Sequence, residues 1–266
     1  MHKFASFNHK LFPADEINIK ATSFAGLYGK GVFTTLAIYN SKPFLWEKHW
    51  RRLNDNAKKL KIDLSDINEQ EVYNSLKQII GQNEISNARC RLTFFDESSS
   101  KVWQNQNVNK TSLLIQTANS RESKQLISLT LSAFVINSNS PLIGVKSCNY
   151  LENVMALENA KEIGFDEAIR INERNEVVSA CMANIFWLKG DQLFTPSLKT
   201  GCLAGTTREY ILDKRDVFEV EESLNTLDDA DAIFLTSAGI GITQTGKYNE
   251  KVFTRELNEL TTLIKF

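Results

Sequence analysis

The sequence predicts an α/β protein of the α+β type, built from two domains, and three observations point that way. The chain has 266 residues, more than one minimal domain needs and enough for two of ordinary size. Its first half alternates short strand-like runs with helical stretches and closes on the apolar run TSLLIQT, residues 111–117. After it come ANSRESKQ, polar and without apolar periodicity, and then a new β-rich run, LISLTLSAFVI, at 126–136. The expected division is an N-terminal α/β domain over 1–117, a linker at 118–125 and a C-terminal α/β domain over 126–266.

Taken in order, YGKGVFTTLAIYNSKPFLW reads as two strands joined at Asn40-Ser41, the first preceded by a glycine-punctuated turn. From Trp46, apolar or aromatic residues recur at His49, Trp50, Leu53, Ala57 and Leu60, the spacing of an amphipathic helix, with Arg51 and Arg52 on the flanks of the stripe. In the second half, Asn149 is placed to cap a helix through YLENVMALENAKEIG closed by Gly164, with Leu151, Val154, Met155 and Leu157 as its buried positions. Strands follow at DEAIRIN, EVVSA and NIFWLK, with a Gly190-Asp191 hairpin turn into QLFTP. LAGTTREYILDK reads as a glycine turn feeding a helix that starts near Thr206 or Thr207, and AIFLTSA as a strand ending in SAGIGITQ.

Bulk properties narrow the function classes. A 42% hydrophobic content with 24% charged residues predicts a sizeable core. The net charge of −1 gives no electrostatic footprint for nucleic acid or an anionic membrane, and no apolar stretch reaches bilayer length. Cys90, Cys148, Cys181 and Cys202 are scattered, without a CxxC or metal-type Cys/His pairing, and MHKFASFNHKLF carries no signal-peptide apolar run. Free thiols in a reducing cytoplasm, and no metal, are expected.

Three features carry candidate chemistry. Lys146, in PLIGVKSCNYLENV, ends an apolar run just before a helix. Most such lysines snorkel to water, but a lysine desolvated there has a lowered pKa and supplies the free amine for a Schiff base. Gly205-Thr206-Thr207-Arg208 opens a helix, where N–H groups and threonine hydroxyls suit a phosphate, although a plain N-cap explains the same letters. Arg52 adds a permanent charge and a bidentate grip. Together these are the components of a pyridoxal-phosphate site, in which the cofactor acts as electron sink.

These residues resemble the class IV, or fold-type IV, pyridoxal-phosphate enzymes: 4-amino-4-deoxychorismate lyases, D-amino-acid aminotransferases and branched-chain aminotransferases. The likeness runs through YGKGVFTTL, HWRRL in place of the family's HxxRL, VKSCNYLENVMA, GFDEAIRIN, ANIFWLKGDQLFTP, LAGTTRE and DAIFLTSAGIGIT, in the family's order from about residue 24 to residue 245. The resemblance implies a D-amino-acid aminotransferase-like fold with the cofactor, pyridoxal 5'-phosphate, in the cleft between two domains. It also implies a homodimer whose partner lends a loop to the substrate pocket. By that match Lys146 is the Schiff-base lysine that moves the substrate's proton. Arg52, Gly205, Thr206 and Thr207 hold phosphate, with Ser237 or Ala238 near a second phosphate contact.

Within the family, Phe33-Thr34-Thr35 resembles the lyase pattern where many aminotransferases have Phe-Glu, and places Phe33 and Thr35 toward a small amino substrate. The spacing from Lys146 to Asn149 looks like the lyase and D-amino-acid branches. Arg89 and Arg91, on ARCRLTFFD, are candidates for substrate carboxylates, against the alternative of surface charges on an edge strand. One departure stands out: five residues before Asn184, where the family has a glutamate for the pyridine nitrogen, this chain has Ser179. Without that carboxylate the ring nitrogen's pKa should fall and the electron sink weaken. The leading expectation is a lyase giving 4-aminobenzoate and pyruvate. A D- or branched-chain aminotransferase is the alternative, and a cofactor-binding homologue of little or no activity is the third reading.

Overall fold

The computed structural model describes residues 1–99, 110–120, 126–255, 258–261 and 263–264. The chain divides into two units, Met1–Arg121 with Val145–Asn149, and Glu122–Gly144 with Tyr150–Phe266. Residues 121–125 of the expected linker lie outside the described residues.

The first unit is an antiparallel sheet with helices on one face. Its strands are β1 (Phe4–Phe7), β2 (Lys10–Pro13), β3 (Gly31–Tyr39), β4 (Lys42–Pro43), β5 (Ala88–Asp96) and β6 (Thr111–Ala118), in the order β2-β1-β6-β5-β3-β4. Asn40 and Ser41, both at positive φ, make the two-residue turn between β3 and β4 that the sequence predicts. After the short helix α1 (Phe24–Tyr28), α2 (Trp46–Lys59) and α3 (Glu69–Gln82) cover the sheet. Leu53, Ala57, Val72, Leu76 and Ile79 from those helices pack on Val32, Leu36, Ile38, Cys90, Leu92 and Phe94 from the strands. Alternation along β3 thus sends Val32, Thr34, Leu36 and Ile38 to the helix side and Phe33, Thr35 and Ala37 to the other.

Because β4 pairs only with Ile38 and Tyr39, the opposite end of β3's edge is open to another partner. Val145–Asn149 takes it: Phe33 N–H donates to Lys146 O at 2.9 Å and Cys148 N–H to Gly31 O at 2.8 Å. Lys146, which the sequence reading places in the C-terminal domain, therefore groups with the first unit.

The second unit holds a mixed sheet of β7 (Leu126–Leu131), β8 (Glu167–Ile171), β9 (Val177–Ala180), β10 (Asn184–Lys189), β11 (Gln192–Pro196), β12 (Phe218–Val220), β13 (Ala232–Ser237), β14 (Gly241–Tyr248) and β15 (Lys251–Val252). Their order is β12-β11-β10-β13-β14-β7-β8-β9, with β15 beside β14. The helices are α4 (Leu151–Glu162), α5 (Thr206–Leu212) and the short α6 (Asn258–Thr261).

Two expectations for α4 are corrected. Asn149 is not its cap; Tyr150 holds that position without a side-chain bond, while Asn149 Nδ2 donates to Gly29 O at 3.1 Å. The buried positions are Ala156 and Ala160, whereas Leu151 and Met155 are exposed. The alanines pack on Ala168 and Cys181, a contact that only small side chains allow.

Candidate active site

In the first unit, Lys146, Phe33, Thr35 and Arg91 come together. Lys146 Nζ lies 4.6 Å from the Phe33 ring centroid and the Arg91 guanidinium carbon 3.6 Å from it, so two cations share one aromatic ring. The β3–β5 register sets Thr35 opposite Arg91 and Phe33 opposite Thr93, which puts all four on one face. Arg89 stands on the same face two residues away, opposite Ala37. β5 lies between β3 and β6, so Arg89 and Arg91 do not sit on an edge strand. Burial, then the charges of Arg52 and Arg91, pulls the Lys146 amine down to about 7. At neutral pH about half of such an amine is free, against fewer than about one in a thousand for an ordinary lysine.

Arg52 approaches from α2, on the helix side of the sheet. Its Nη2 donates to Thr34 Oγ1 at 2.7 Å, and the same hydroxyl lies 2.6 Å from His49 Nδ1. Thr34 and His49 are both fully buried. Burial foremost, then Arg52 and Lys146, holds His49 well below the usual histidine range, so the ring is neutral. The His49–Arg52 spacing of three on a helix put this pair on one face from the outset, but the sequence carried no sign that Thr34 would join them.

In the second unit the remaining candidates gather around Asn184. Its Nδ2 donates to Leu203 O at 2.8 Å, and a Cβ on Gly205 would fall 1.9 Å from Asn184 Oδ1. Gly205 is the N-cap of α5 with no side-chain capping bond, and Thr206 and Thr207 are buried in its first turn. Across the sheet Asn184 pairs with Thr236, whose buried hydroxyl has no hydrogen-bond partner among the described residues. Ser237 ends β13 next to it and Ala238 follows in the turn. Thus Gly205, Thr206 and Thr207 come to the same end of the sheet as Ser237 and Ala238.

Ser179 sits on β9 opposite Arg170. Arg170 is buried, bonds the Glu152 carboxylate and Phe134 O, and keeps an unpartnered Nε among the described residues. Glu176 does not stand in for the absent acid, because Arg174 and Asn172 hold its carboxylate. The carboxylate that the sequence reading missed is Glu167. It accepts from the N–H groups of Ala168 (3.1 Å), Cys181 (3.0 Å) and Met182 (3.1 Å), while Asn153 Nδ2 donates to Cys181 O at 2.7 Å. Burial raises Glu167's pKa and these bonds oppose the rise. Residues 180–183, joining β9 to β10, therefore form a turn braced by Glu167 and packed against α4.

The donor set has a clear chemical character. The first unit holds an amine of lowered pKa beside a permanently charged guanidinium, and the second holds two buried threonines at a helix start that has no side-chain cap. An amine of lowered pKa can condense with an aldehyde, and a guanidinium is suited to a phosphate. Among the described residues no group of His, Cys, Asp and Glu is arranged to hold a metal, and no helix is long and apolar enough to cross a membrane. The cysteines are free.

Comparison with known proteins agrees with this character. The family model described as amino-transferase class IV matches residues 31–248. The chain is 30% identical to an aminodeoxychorismate lyase of Bacillus subtilis over 251 residues, covering 90% of this chain and 84% of that protein. It is 26% identical to a D-alanine aminotransferase of Bacillus licheniformis over 241 residues, 87% of this chain and 83% of the other. In fold it matches a branched-chain aminotransferase from Thermoproteus uzoniensis, crystallised with norvaline, at a TM-score of 0.92, 21% identity and coverage of 99% and 93% of the two chains.

Proposed function

The chain belongs to the amino-transferase class IV family of pyridoxal-phosphate-dependent lyases and aminotransferases, and on that premise we propose that it is a lyase that converts 4-amino-4-deoxychorismate into 4-aminobenzoate and pyruvate. The observation that carries the reading is the Lys146 amine, brought to about 7 by burial and by Arg52 and Arg91. About half of this amine is unprotonated at neutral pH, the form that would hold the cofactor and would move a substrate proton. Bound pyridoxal 5'-phosphate supplies the electron sink for that chemistry.

This chain's own residues do the rest. As the family resemblance implies, Arg52 is the phosphate ligand of the first unit, and Gly205, Thr206 and Thr207 with the Ser237-Ala238 turn are the phosphate candidates of the second. Lys146 Nζ takes a proton from the substrate and returns one. Arg91, set against Phe33 at 3.6 Å, binds a substrate carboxylate, with Arg89 further along the same face and Thr35 directly across from Arg91. Elimination needs no exchange of amino groups, so the same lysine serves through the whole cycle.

Two features favour the lyase over an aminotransferase. The relative of 30% identity is an aminodeoxychorismate lyase, and it covers nearly the whole chain. Ser179, at the ring-nitrogen position implied by the family pattern, offers a hydroxyl and faces a buried arginine rather than an acid. A neutral hydroxyl in place of a carboxylate would disfavour a protonated ring, which would suit elimination better than complete amino transfer.

Purified protein supplied with pyridoxal 5'-phosphate and treated with borohydride should retain the cofactor covalently on the peptide containing Lys146. Lys146→Ala should lose both that label and 4-aminobenzoate formation. Cofactor fixed elsewhere, or an active Lys146→Ala enzyme, sinks the reading. A homodimer is proposed from the family resemblance, checked by light scattering.

A further inference from the structure

We infer that Thr34 and a neutral His49, protonated on Nε2, are positioning residues that clamp the Arg52 guanidinium, an inference that rests on the reading of Arg52 as a phosphate ligand. Arg52 is donor-only, so at 2.7 Å it must give a hydrogen to Thr34 Oγ1. The hydroxyl's own hydrogen then needs an acceptor. Thr34 is fully buried, and His49 Nδ1 at 2.6 Å is the acceptor that the described residues provide. Were Nδ1 to carry a proton, both partners would donate to Thr34, and the hydroxyl hydrogen would be buried without a partner, at a cost of about 1–3 kcal/mol. The order is therefore Arg52 to Thr34 to His49, which fixes the histidine tautomer.

Packing supports this order. His49 lies on the buried stripe of α2, one turn before Arg52, and both reach the inward-facing Thr34 of β3. A full charge on His49 would stand beside the Arg52 and Lys146 cations in a dry site, and burial there favours the neutral ring. Thr34 matters for a second reason. Neither it nor neutral His49 carries negative charge, so the clamp orients Arg52 without neutralising it. An acid at this position, as in the aminotransferase-like Phe-Glu pattern, would spend part of that charge on an internal ion pair. The arrangement makes Thr34 a determinant of how strongly the cofactor's phosphate is held.

The test uses the full chain in two measurements. The protein has three histidines, so long-range proton–nitrogen spectra of the cofactor-free form, assigned with single His2→Gln and His9→Gln substitutions, resolve His49. An unprotonated Nδ1 and a protonated Nε2 are expected; a protonated Nδ1 overturns the inference. Titration with pyridoxal 5'-phosphate is the second measurement. Thr34→Val should weaken binding by about tenfold, near the loss of one hydrogen bond to a charged group, and Thr34→Ser should restore it. Binding unchanged in Thr34→Val, or equally weak in Thr34→Ser, contradicts the clamp. Wild-type protein that binds no pyridoxal phosphate removes the cofactor reading, and with it Arg52's phosphate role, while the His49 spectrum still decides the hydrogen-bond order.

Discussion

Lys146 owes its lowered pKa to what surrounds it. Because its pKa is lowered to about 7, protons leave the amine as pH rises through neutrality, and only the free form attacks an aldehyde. Its condensation with pyridoxal 5'-phosphate should climb about tenfold per pH unit below 6 and level off above about pH 8, where an ordinary lysine continues to gain up to about pH 10. Stopped-flow absorbance across pH checks this. Arg91→Met removes one of the two cations and should move the plateau to higher pH. A wild-type profile still rising at pH 9 would contradict the assigned environment. At Ser179, introduction of an acid opposite Arg170 tests the other end of the chemistry. Ser179→Glu should raise 2-oxoglutarate-dependent amino exchange relative to 4-aminobenzoate formation by roughly tenfold, about 1.4 kcal/mol of barrier. An unchanged ratio would remove Ser179 from the account of reaction choice.

At the level of elements, strands were legible wherever alternation and turn residues agreed. β3 and β4 around Asn40-Ser41, and β10 and β11 around Gly190-Asp191, fall where the sequence places them. The α2 stripe was legible too, because His49, Leu53 and Ala57 recur at helical spacing on one apolar face. Helix α4 was not. Its large apolar residues suggested the buried face, yet the alanines are buried and Leu151 and Met155 are exposed, since the fit to Cys181 selects small volume rather than hydrophobicity. Nor did the letters SACMA disclose the turn that Glu167 braces from another strand. The tightest junction is between β10 and α5. Gly205→Ala would drive a Cβ against Asn184 Oδ1, and the loop holding Leu203 would have to shift. A loss of about 1–3 kcal/mol is expected, read as a lowered Tm together with weaker pyridoxal phosphate binding. A variant as stable as wild type would show that the junction yields.

For the molecule as a whole, the two-unit division and the order of the motifs could be read from the sequence, because each motif is local. The placement of Val145–Asn149 could not, since it depends on an edge of β3 left open by a two-residue β4 more than a hundred residues earlier. That pairing sets the Lys146 backbone beside Phe33, and the long-range β3–β5 register brings Arg91 to the same ring. Groupings that depend on local motifs could therefore be read from the sequence, and those that depend on distant pairing partners, such as His49 with Thr34 and Arg170 with Ser179, could not. The central claim is that this assembly eliminates pyruvate instead of exchanging amino groups. One reaction mixture decides it most directly: holoenzyme with 4-amino-4-deoxychorismate, D-alanine, a branched-chain L-amino acid and 2-oxoglutarate, with 4-aminobenzoate and glutamate both quantified. 4-Aminobenzoate should accumulate through many turnovers with little glutamate; steady glutamate formation without 4-aminobenzoate would contradict the lyase reading.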